Sequence, residues 1–447
     1  MEETTAAFWL GSYTPGADGS EEGSGVGVRA LGRNASGSLV PVAQFEADSP
    51  SWVVQHPSLP VVYAAEEFSG LVVALRAAHD GTMTAVGAPV EVGGIVCHLT
   101  VAPDGSAVVA SCYGDGRVVL LPLEPDGRLT GRTVELPTAT DPWADHATVP
   151  GLGAGGVLLG AREAAMEAAL AAASAALGVA APADDAVSVG DPLAAAVLAA
   201  DGAEERQSRA HTSRWLPDGR VVTTDLGVDL VRFWRRGSSA SAPLVLDHEV
   251  TLPRGVGPRH VAWHESGHLH VLTEYSIEVF TLRAGVDGRY RIVAGVDATS
   301  DGAEDGDSAA ELTVVGSREH LHASVRGSNR IATLQIRGDG SELRPMGDVD
   351  SGGDGPRHHI EDGGVVHVAN QRSGTVVTFE LDERTAVPAA DRERRGRQSH
   401  VPDSGTPRIA THRQTTDSVA GNGFHCRLWH SNGLRSIVIV TRGSKRR

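Results

Sequence analysis

Pro258-Arg259-His260-Val261-Ala262-Trp263-His264, followed after a turn by Leu269-His270-Val271-Leu272-Thr273 and then Glu274, is the stretch that decides the fold of this chain. Two short β-rich runs flank a tight turn, which reads as an antiparallel hairpin. In such a pair the opening of the first strand and the close of the second lie at the same end of the sheet. Arg259 and Glu274 therefore share an end, while the apolar residues between them belong to the strand interiors.

The same unit recurs. Its opening strand returns as Ser51-Trp52-Val53-Val54-Gln55-His56-Pro57, as Cys97-His98-Leu99-Thr100-Val101-Ala102-Pro103-Asp104-Gly105, as Ala210-His211-Thr212-Ser213-Arg214-Trp215, as Ala310-Glu311-Leu312 and as Pro356-Arg357-His358. The second strands fall at Val61 to Ala65, Ala107 to Cys112, Val221 to Thr224, Leu321 to Val325 and Val365 to Ala369. Third strands follow, as in Arg117-Val118-Val119-Leu120-Leu121 and Thr375-Val376-Val377-Thr378-Phe379. The period is close to the ~40–45 residues of a propeller blade. Six units begin within the chain, and Phe8 to Ser12, Val26 to Ala30 and Leu39 to Phe45 supply three more strands without an opening one. A strand from the C-terminal region completes a seventh blade, which removes exposed sheet edges. The expectation is an all-β, seven-bladed β-propeller over residues 1–384, with an insertion at 138–207 and a basic tail at 385–447.

The insertion is alanine-rich. Met166, Leu170 and Leu177 share one face of an expected helix ending at Gly178, and Asp191-Pro192 reads as an N-cap and first-turn pair for a second. In the tail the balance turns basic, with Arg392, Arg394, Arg395, Arg397 and Lys445-Arg446-Arg447. Ser436-Ile437-Val438-Ile439-Val440 and Pro407-Arg408-Ile409-Ala410 are two candidates for the ring-closing strand, with a disordered tail as the alternative.

A formal net charge of -17 argues against a nucleic-acid surface, which gathers Lys and Arg to displace counterions. Any anion site is local. Cys97, Cys112 and Cys426 are too few and too oddly spaced for a disulfide framework or a thiolate zinc site. Met1-Glu2-Glu3 opens without a basic region and apolar run, and the alanine-rich stretch from Ala164 to Pro182 carries Glu167 inside it. A cytoplasmic monomer without membrane contact is expected.

Chemistry is expected at the paired positions, which lie 13 to 15 residues apart: His98 with Tyr113, His211 with Asp225, Arg259 with Glu274, Glu311 with Arg326, and Arg357 with Asn370. Ser51 stands in the same relation to Glu66 and Glu67. Arg259, Arg326 and Arg357 are suited to hold phosphate or carboxylate oxygens through forked hydrogen bonds. His211 or Glu274 is suited to activate water, with an arginine stabilising the oxyanion of a tetrahedral intermediate. Taken singly, each such pair also reads as a rim salt bridge. Polar groups converging on one concavity from several blades favour a site.

At these residues the chain resembles the seven-bladed propeller lactonases, the family that takes in bacterial propeller-type 6-phosphogluconolactonases and fungal carboxy-cis,cis-muconate cyclases. The resemblance rests on Gly11-Ser12-Tyr13-Thr14, Ala210-His211, Gly257-Pro258-Arg259-His260, Thr273-Glu274, Ala310-Glu311-Leu312, Val325-Arg326-Gly327, Gly355-Pro356-Arg357-His358 and Ala369-Asn370-Gln371. It spans Phe8 to about Glu380. It implies a catalytic set of His211, Arg259, Glu274 and Arg326, while the rim positions themselves put His98, Tyr113, His260, Glu311, Arg357, His358 and Asn370 about the expected substrate. Many members carry histidines on both sides of the alanine at Ala210; here Arg209 takes the first place. The implied reaction is hydrolysis of a sugar lactone, 6-phosphogluconolactone to 6-phosphogluconate in the pentose phosphate route, with no metal or organic cofactor. A muconate-type cycloisomerase, a non-catalytic binding scaffold and a calcium- or zinc-dependent propeller lactonase are the alternatives.

Three other signals carry less. Gly151-Leu152-Gly153-Ala154-Gly155-Gly156 matches a dinucleotide fingerprint, but no strand leads into it, so it reads as a hinge. His268 with His270 and His320 with His322 have the spacing of metal ligands on one strand, yet fall toward the opposite rim, where packed or solvated imidazoles are expected. Trp52, Trp215 and Trp263 recur at opening strands, where inter-blade packing is expected of them.

Overall fold

A computed structural model describes residues 6–15, 25–35, 37–144, 206–239, 241–315, 318–389 and 435–438, with backbone alone for 6–7 and 435–438. Seven sheets form a ring. The first blade runs outward as Arg435–Val438, Ala6–Gly11, Val28–Arg33 and Leu39–Phe45. The second begins with Pro50–Gln55 and Val61–Glu66, and the third with Val96–Val101 and Ala107–Cys112. The fourth opens on Ala210–Trp215 and Val221–Asp225, the fifth on Pro258–Trp263 and Leu269–Thr273, and the sixth on Ser308–Val315 and His320–Arg326. The seventh has three strands, Pro356–Glu361, Val365–Asn370 and Thr375–Glu380. Innermost strands touch their neighbours in order around the axis, with Arg435–Val438 between the seventh and second blades. That strand pairs parallel to Ala6–Gly11, Phe8 opposite Arg435 and Gly11 opposite Val438.

No α-helix occurs among the described residues, and none of them forms a helix long and apolar enough to cross a membrane. The expected helices, the Gly151–Gly156 run, Pro407–Ala410 and Cys426 lie outside the described residues. Cys97 and Cys112 are free and buried. Where the chain leaves and re-enters the ring around the insertion, Arg206 pairs with Asp141 at 3.2 Å and with buried Asp229.

Apolar residues of adjacent blades pack face to face. Val61 and Tyr63 meet Val108, Ala110 and Leu121 between the second and third blades, and Leu272 and Val279 meet Leu321 and Leu334 between the fifth and sixth. Each such Val or Leu contributes about 1.5–3 kcal/mol by leaving water. The alternation seen in the sequence is thus spent on the contacts between blades, which leaves the strand openings free for other work.

One irregularity repeats at those openings. In the second blade Pro50 faces Glu66 and Trp52 faces Ala65, so Ser51 is an extra residue in the ladder. Cys97, Arg259 and Arg357 are extra in the same way. His211 and Thr212 together oppose Thr224, and Ala310 and Glu311 together oppose Ser324. A bulge of this kind bends its strand and re-aims a side chain. The freed backbone groups find partners: Thr212 N–H donates to Thr224 Oγ1 at 3.0 Å, and Glu311 N–H to Ser324 Oγ at 3.0 Å. The two Gly-Pro-Arg-His repeats have a backbone cause as well. Gly257 and Gly355 have φ of +66° and +72°, which favours glycine, and Pro258 and Pro356 start their strands, where a missing N–H is tolerated.

Candidate active site

The six bulges converge on the axis. They place Ser51, Cys97, His211, Arg259, Glu311 and Arg357 around one cavity, completed by Trp52, His260, Ala310 and His358.

Glu274 holds two arginines. Arg259 Nη1 donates to Glu274 Oε2 at 2.5 Å, and Arg326 Nη2 to Glu274 Oε1 at 2.8 Å. Both guanidiniums are further fixed on backbone carbonyls, Arg259 Nε on Ala310 at 2.8 Å and Arg326 Nη2 on Ala309 at 3.2 Å. Burial alone raises the Glu274 carboxyl, and the charges of Arg259 and Arg326 overcome it, so the group stays ionised. Arg326 is pushed down to about 10 by burial and by Arg259, with Glu274 opposing.

His211 is the basic group of the set. Burial, then the charges of Arg259 and Arg357, holds its imidazole well below the usual histidine range, so it is neutral at pH 7. Nδ1 is buried without a hydrogen-bond partner, so no carboxylate fixes the tautomer. Tyr113 stands edge-on to the His211 ring at 6.2 Å, and Arg209 lies over Tyr113 at 4.9 Å. The departure at Arg209 therefore supports the ring beside the histidine.

Another layer of aromatic rings crosses the channel. Trp52 lies 4.0 Å from His98, 6.0 Å from His260 and 5.3 Å from His358 between ring centroids. Trp52 packs against the apolar cluster between the second and third blades, as expected, and, following the bulge at Ser51 as His98, His260 and His358 follow theirs, it also lines the cavity. Burial lowers His98, and lowers His260 and His358 to about 3 each. Glu311 Oε2 lies 3.2 Å from His358 Nε2. Burial raises the Glu311 carboxyl well above its usual range despite Arg259, so the contact joins two neutral groups.

A stability prediction follows. A group whose pKa is raised in the folded state contributes fully below its unfolded value and loses that contribution as pH rises toward its folded one. Glu311→Gln, which mimics the protonated acid, is expected to gain stability over the wild type as pH goes from 5 to 7.5. Urea unfolding at the two pH values measures this, and a difference that shrinks with pH contradicts a neutral Glu311.

The remaining expected residues fall elsewhere. Asn370 does not line the cavity: its amide donates to the Ser351 carbonyl at 3.1 Å and ties down a loop. Asp225 anchors the approach to the fourth blade by accepting from Ser208 Oγ and, at 2.8 Å, from Arg209 N–H. Glu66 accepts from Asp48 N–H at 3.1 Å, whereas Glu67 accepts from Tyr13 Oη at 2.7 Å and lies 3.7 Å from Arg357. Tyr13, Gln371 and Cys97 were not singled out from the sequence as site residues. The spacing had left Glu66 and Glu67 equivalent, and Tyr13 stood only in a motif of resemblance. Burial, then Glu67, pushes the Cys97 thiol up to about 12, which leaves it a small neutral wall.

His268, His270, His320 and His322 are all buried, and His270 bonds Thr281 Oγ1 at 3.1 Å while His322 bonds the Ala386 carbonyl at 2.8 Å. Among the described residues no group of three or more His, Cys, Asp or Glu is placed to hold a metal ion.

A ring of seven sheets with arginines, a carboxylate and a neutral histidine gathered at its axis defines a class of propeller proteins with a charged, polar centre. The chain belongs to the seven-bladed β-propeller lactonase family: the family model described as "Lactonase, 7-bladed beta-propeller" matches residues 7–148 and 179–397. It is similar to the 6-phosphogluconolactonase of Bacillus subtilis, 28% identical over 219 residues, which cover 46% of this chain and 60% of that one. The 6-phosphogluconolactonase of Pectobacterium carotovorum is 26% identical over 180 residues, covering 39% of this chain and 54% of the relative. This chain thus spans 54–60% of the length of these curated relatives. Among solved structures, a putative 6-phosphogluconolactonase from Bacteroides uniformis superposes with a TM-score of 0.64 at 17% identity, covering 89% of this chain and 96% of that one. The periplasmic gluconolactonase of Pseudomonas aeruginosa gives 0.63 at 19%, covering 86% and 94%. These two likenesses share the fold.

Proposed function

We propose that this protein hydrolyses a sugar lactone, with 6-phosphogluconolactone as the substrate. The observation that carries the reading is the neutral His211 beside two arginines fixed on Glu274, on the axis of a lactonase-family propeller. The naming of two relatives as 6-phosphogluconolactonases supports the substrate.

His211 takes a proton from water as the water oxygen bonds to the lactone carbonyl carbon. The carbonyl oxygen gains the negative charge, and Arg259 stabilises it. The tetrahedral centre then collapses, the ring C–O bond breaks, and the leaving oxygen receives the proton that His211 held. The product is one open chain with a carboxylic acid and a hydroxyl, and the acid then releases its remaining proton to water to give the carboxylate. Glu274 acts as a positioning residue, since both of its oxygens are already occupied by guanidinium donors.

Purified protein is expected to remove the lactone faster than it hydrolyses spontaneously, and Arg259→Ala to lose about 10²–10³ of the rate, the usual consequence of deleting an oxyanion donor. No acceleration by the wild type would sink the reading. Carboxymuconate run in the same assay distinguishes the cycloisomerase.

A further inference from the structure

Among the described residues two arginines line the cavity: Arg259, which shares Glu274 with Arg326, and Arg357, which is held differently. Arg357 Nη1 donates to the neutral amide oxygen of Gln371 at 3.2 Å. Its nearest carboxylate oxygen, Glu67 Oε2, is 3.7 Å from Nη2, beyond a hydrogen bond. That same oxygen accepts the Tyr13 hydroxyl at 2.7 Å, and the Arg357 guanidinium lies 5.7 Å from the centre of the Tyr13 ring. Arg357 is buried, 17% exposed at the side chain, and lines the cavity with Ser51, Cys97 and His211. Burial lowers its affinity for a proton, but Tyr13, Glu67, Cys97 and Glu274 together raise it above the usual arginine value, so its charge is permanent.

The contrast defines two halves of one cavity. Arg259 and Arg326 each have a carboxylate oxygen at hydrogen-bonding distance and a backbone carbonyl besides. Arg357 has no hydrogen bond to an anion, and the carboxylate nearest to it is restrained by a phenol. Its guanidinium is thus on the cavity wall without a carboxylate in hydrogen-bonding distance, and its forked geometry suits the oxygens of a phosphomonoester. In this group of side chains the three arginines outnumber the two carboxylates, Glu274 and Glu67, by one.

We propose that Arg357, positioned by Gln371 and by the Tyr13–Glu67 pair, is a subsite for the phosphate group of the substrate, separate from the hydrolytic group at His211 and Arg259. Glu67 is the tuning element: its charge opposes an incoming phosphate, and the Tyr13 hydroxyl holds it short of Arg357. The subsite makes the enzyme prefer phosphorylated over uncharged sugar lactones. This inference rests on the lactonase reading, and the test separates the two.

The experiment pairs kinetics on 6-phosphogluconolactone and gluconolactone with calorimetric binding of inorganic phosphate, on full-length chains whose folding is checked by thermal unfolding. Arg357→Gln is expected to raise KM for the phosphorylated lactone about 30-fold more than for the uncharged one, and to weaken phosphate binding by a similar factor. Arg357→Lys, which keeps the charge without the fork, falls between. Glu67→Gln is expected to tighten phosphate several-fold, and Tyr13→Phe to weaken it, opposite signs that a purely structural role for the pair does not produce. Equal loss on both lactones in Arg357→Gln, or weaker phosphate binding in Glu67→Gln, overturns the proposal. If neither lactone is turned over while phosphate binding follows the expected pattern, the subsite stands and the hydrolytic reading falls.

Discussion

Glu274→Gln is expected to unfold at markedly lower denaturant than the wild type and to hydrolyse lactone at background rate. The carboxylate is the sole anion within hydrogen-bonding distance of Arg259 and Arg326 among the described residues, and those side chains are 7% and 17% exposed. An amide offers one acceptor and, on its other side, two donors facing a guanidinium. Leaving buried cations without their partner costs about 3–5 kcal/mol. Burial raises the Glu274 carboxyl and the two arginines more than reverse it, so its folded value lies below the unfolded one. A depressed acid contributes stability above its unfolded pKa and loses it as pH falls through the folded value. The wild type is therefore expected to lose its advantage over the variant in acid below about pH 4.5, the ordinary carboxylate value. Urea midpoints from pH 3 to 7 measure this, and a variant as stable as the wild type at neutral pH removes Glu274 from its assigned role.

His211→Ala is the second large effect, and it separates chemistry from folding. The imidazole makes no hydrogen bond through Nδ1, so its loss is expected to leave stability nearly unchanged while the rate falls by about 10²–10⁴, the range for a general base. The pH profile is more telling than the size of the loss. Burial and the charges of Arg259 and Arg357 depress the histidine, so its basic form persists below 6.5, where an ordinary histidine becomes charged. The wild-type kcat/KM is expected to stay level from pH 8 to 6 and to fall only in stronger acid. An inflection near 6.5 that disappears in the alanine variant would show a solvated histidine and contradict the buried one.

The blade pattern was legible because it is enforced twice over, by strand alternation and by turns at a regular interval. Gly257-Pro258-Arg259 and Gly355-Pro356-Arg357 were informative for the same reason, since a left-handed glycine and a strand-opening proline leave few alternatives. The site was legible in outline: a fixed spacing between the opening of one strand and the close of the next placed Arg259 by Glu274. Spacing does not show which residue of a strand is extra, and the bulges decide which side chain turns inward. Hence the place of Trp52 on the cavity wall, in addition to its packing between blades, was not read, and Glu66 could not be separated from Glu67. Hydrogen-bond choice was equally hidden, as with Asn370, whose amide serves a loop carbonyl.

Because six of the seven blades each deliver a cavity side chain from an inserted residue, the wall of the centre is modular. A change at Ser51, Cys97, His211, Arg259 or Arg357 alters one sector of the opening while the paired strands on either side keep their partners. Ser51 and Cys97 are the short members of the set, so the sector they occupy is where a lineage of such enzymes can trade substrate bulk against side-chain size without rebuilding the ring.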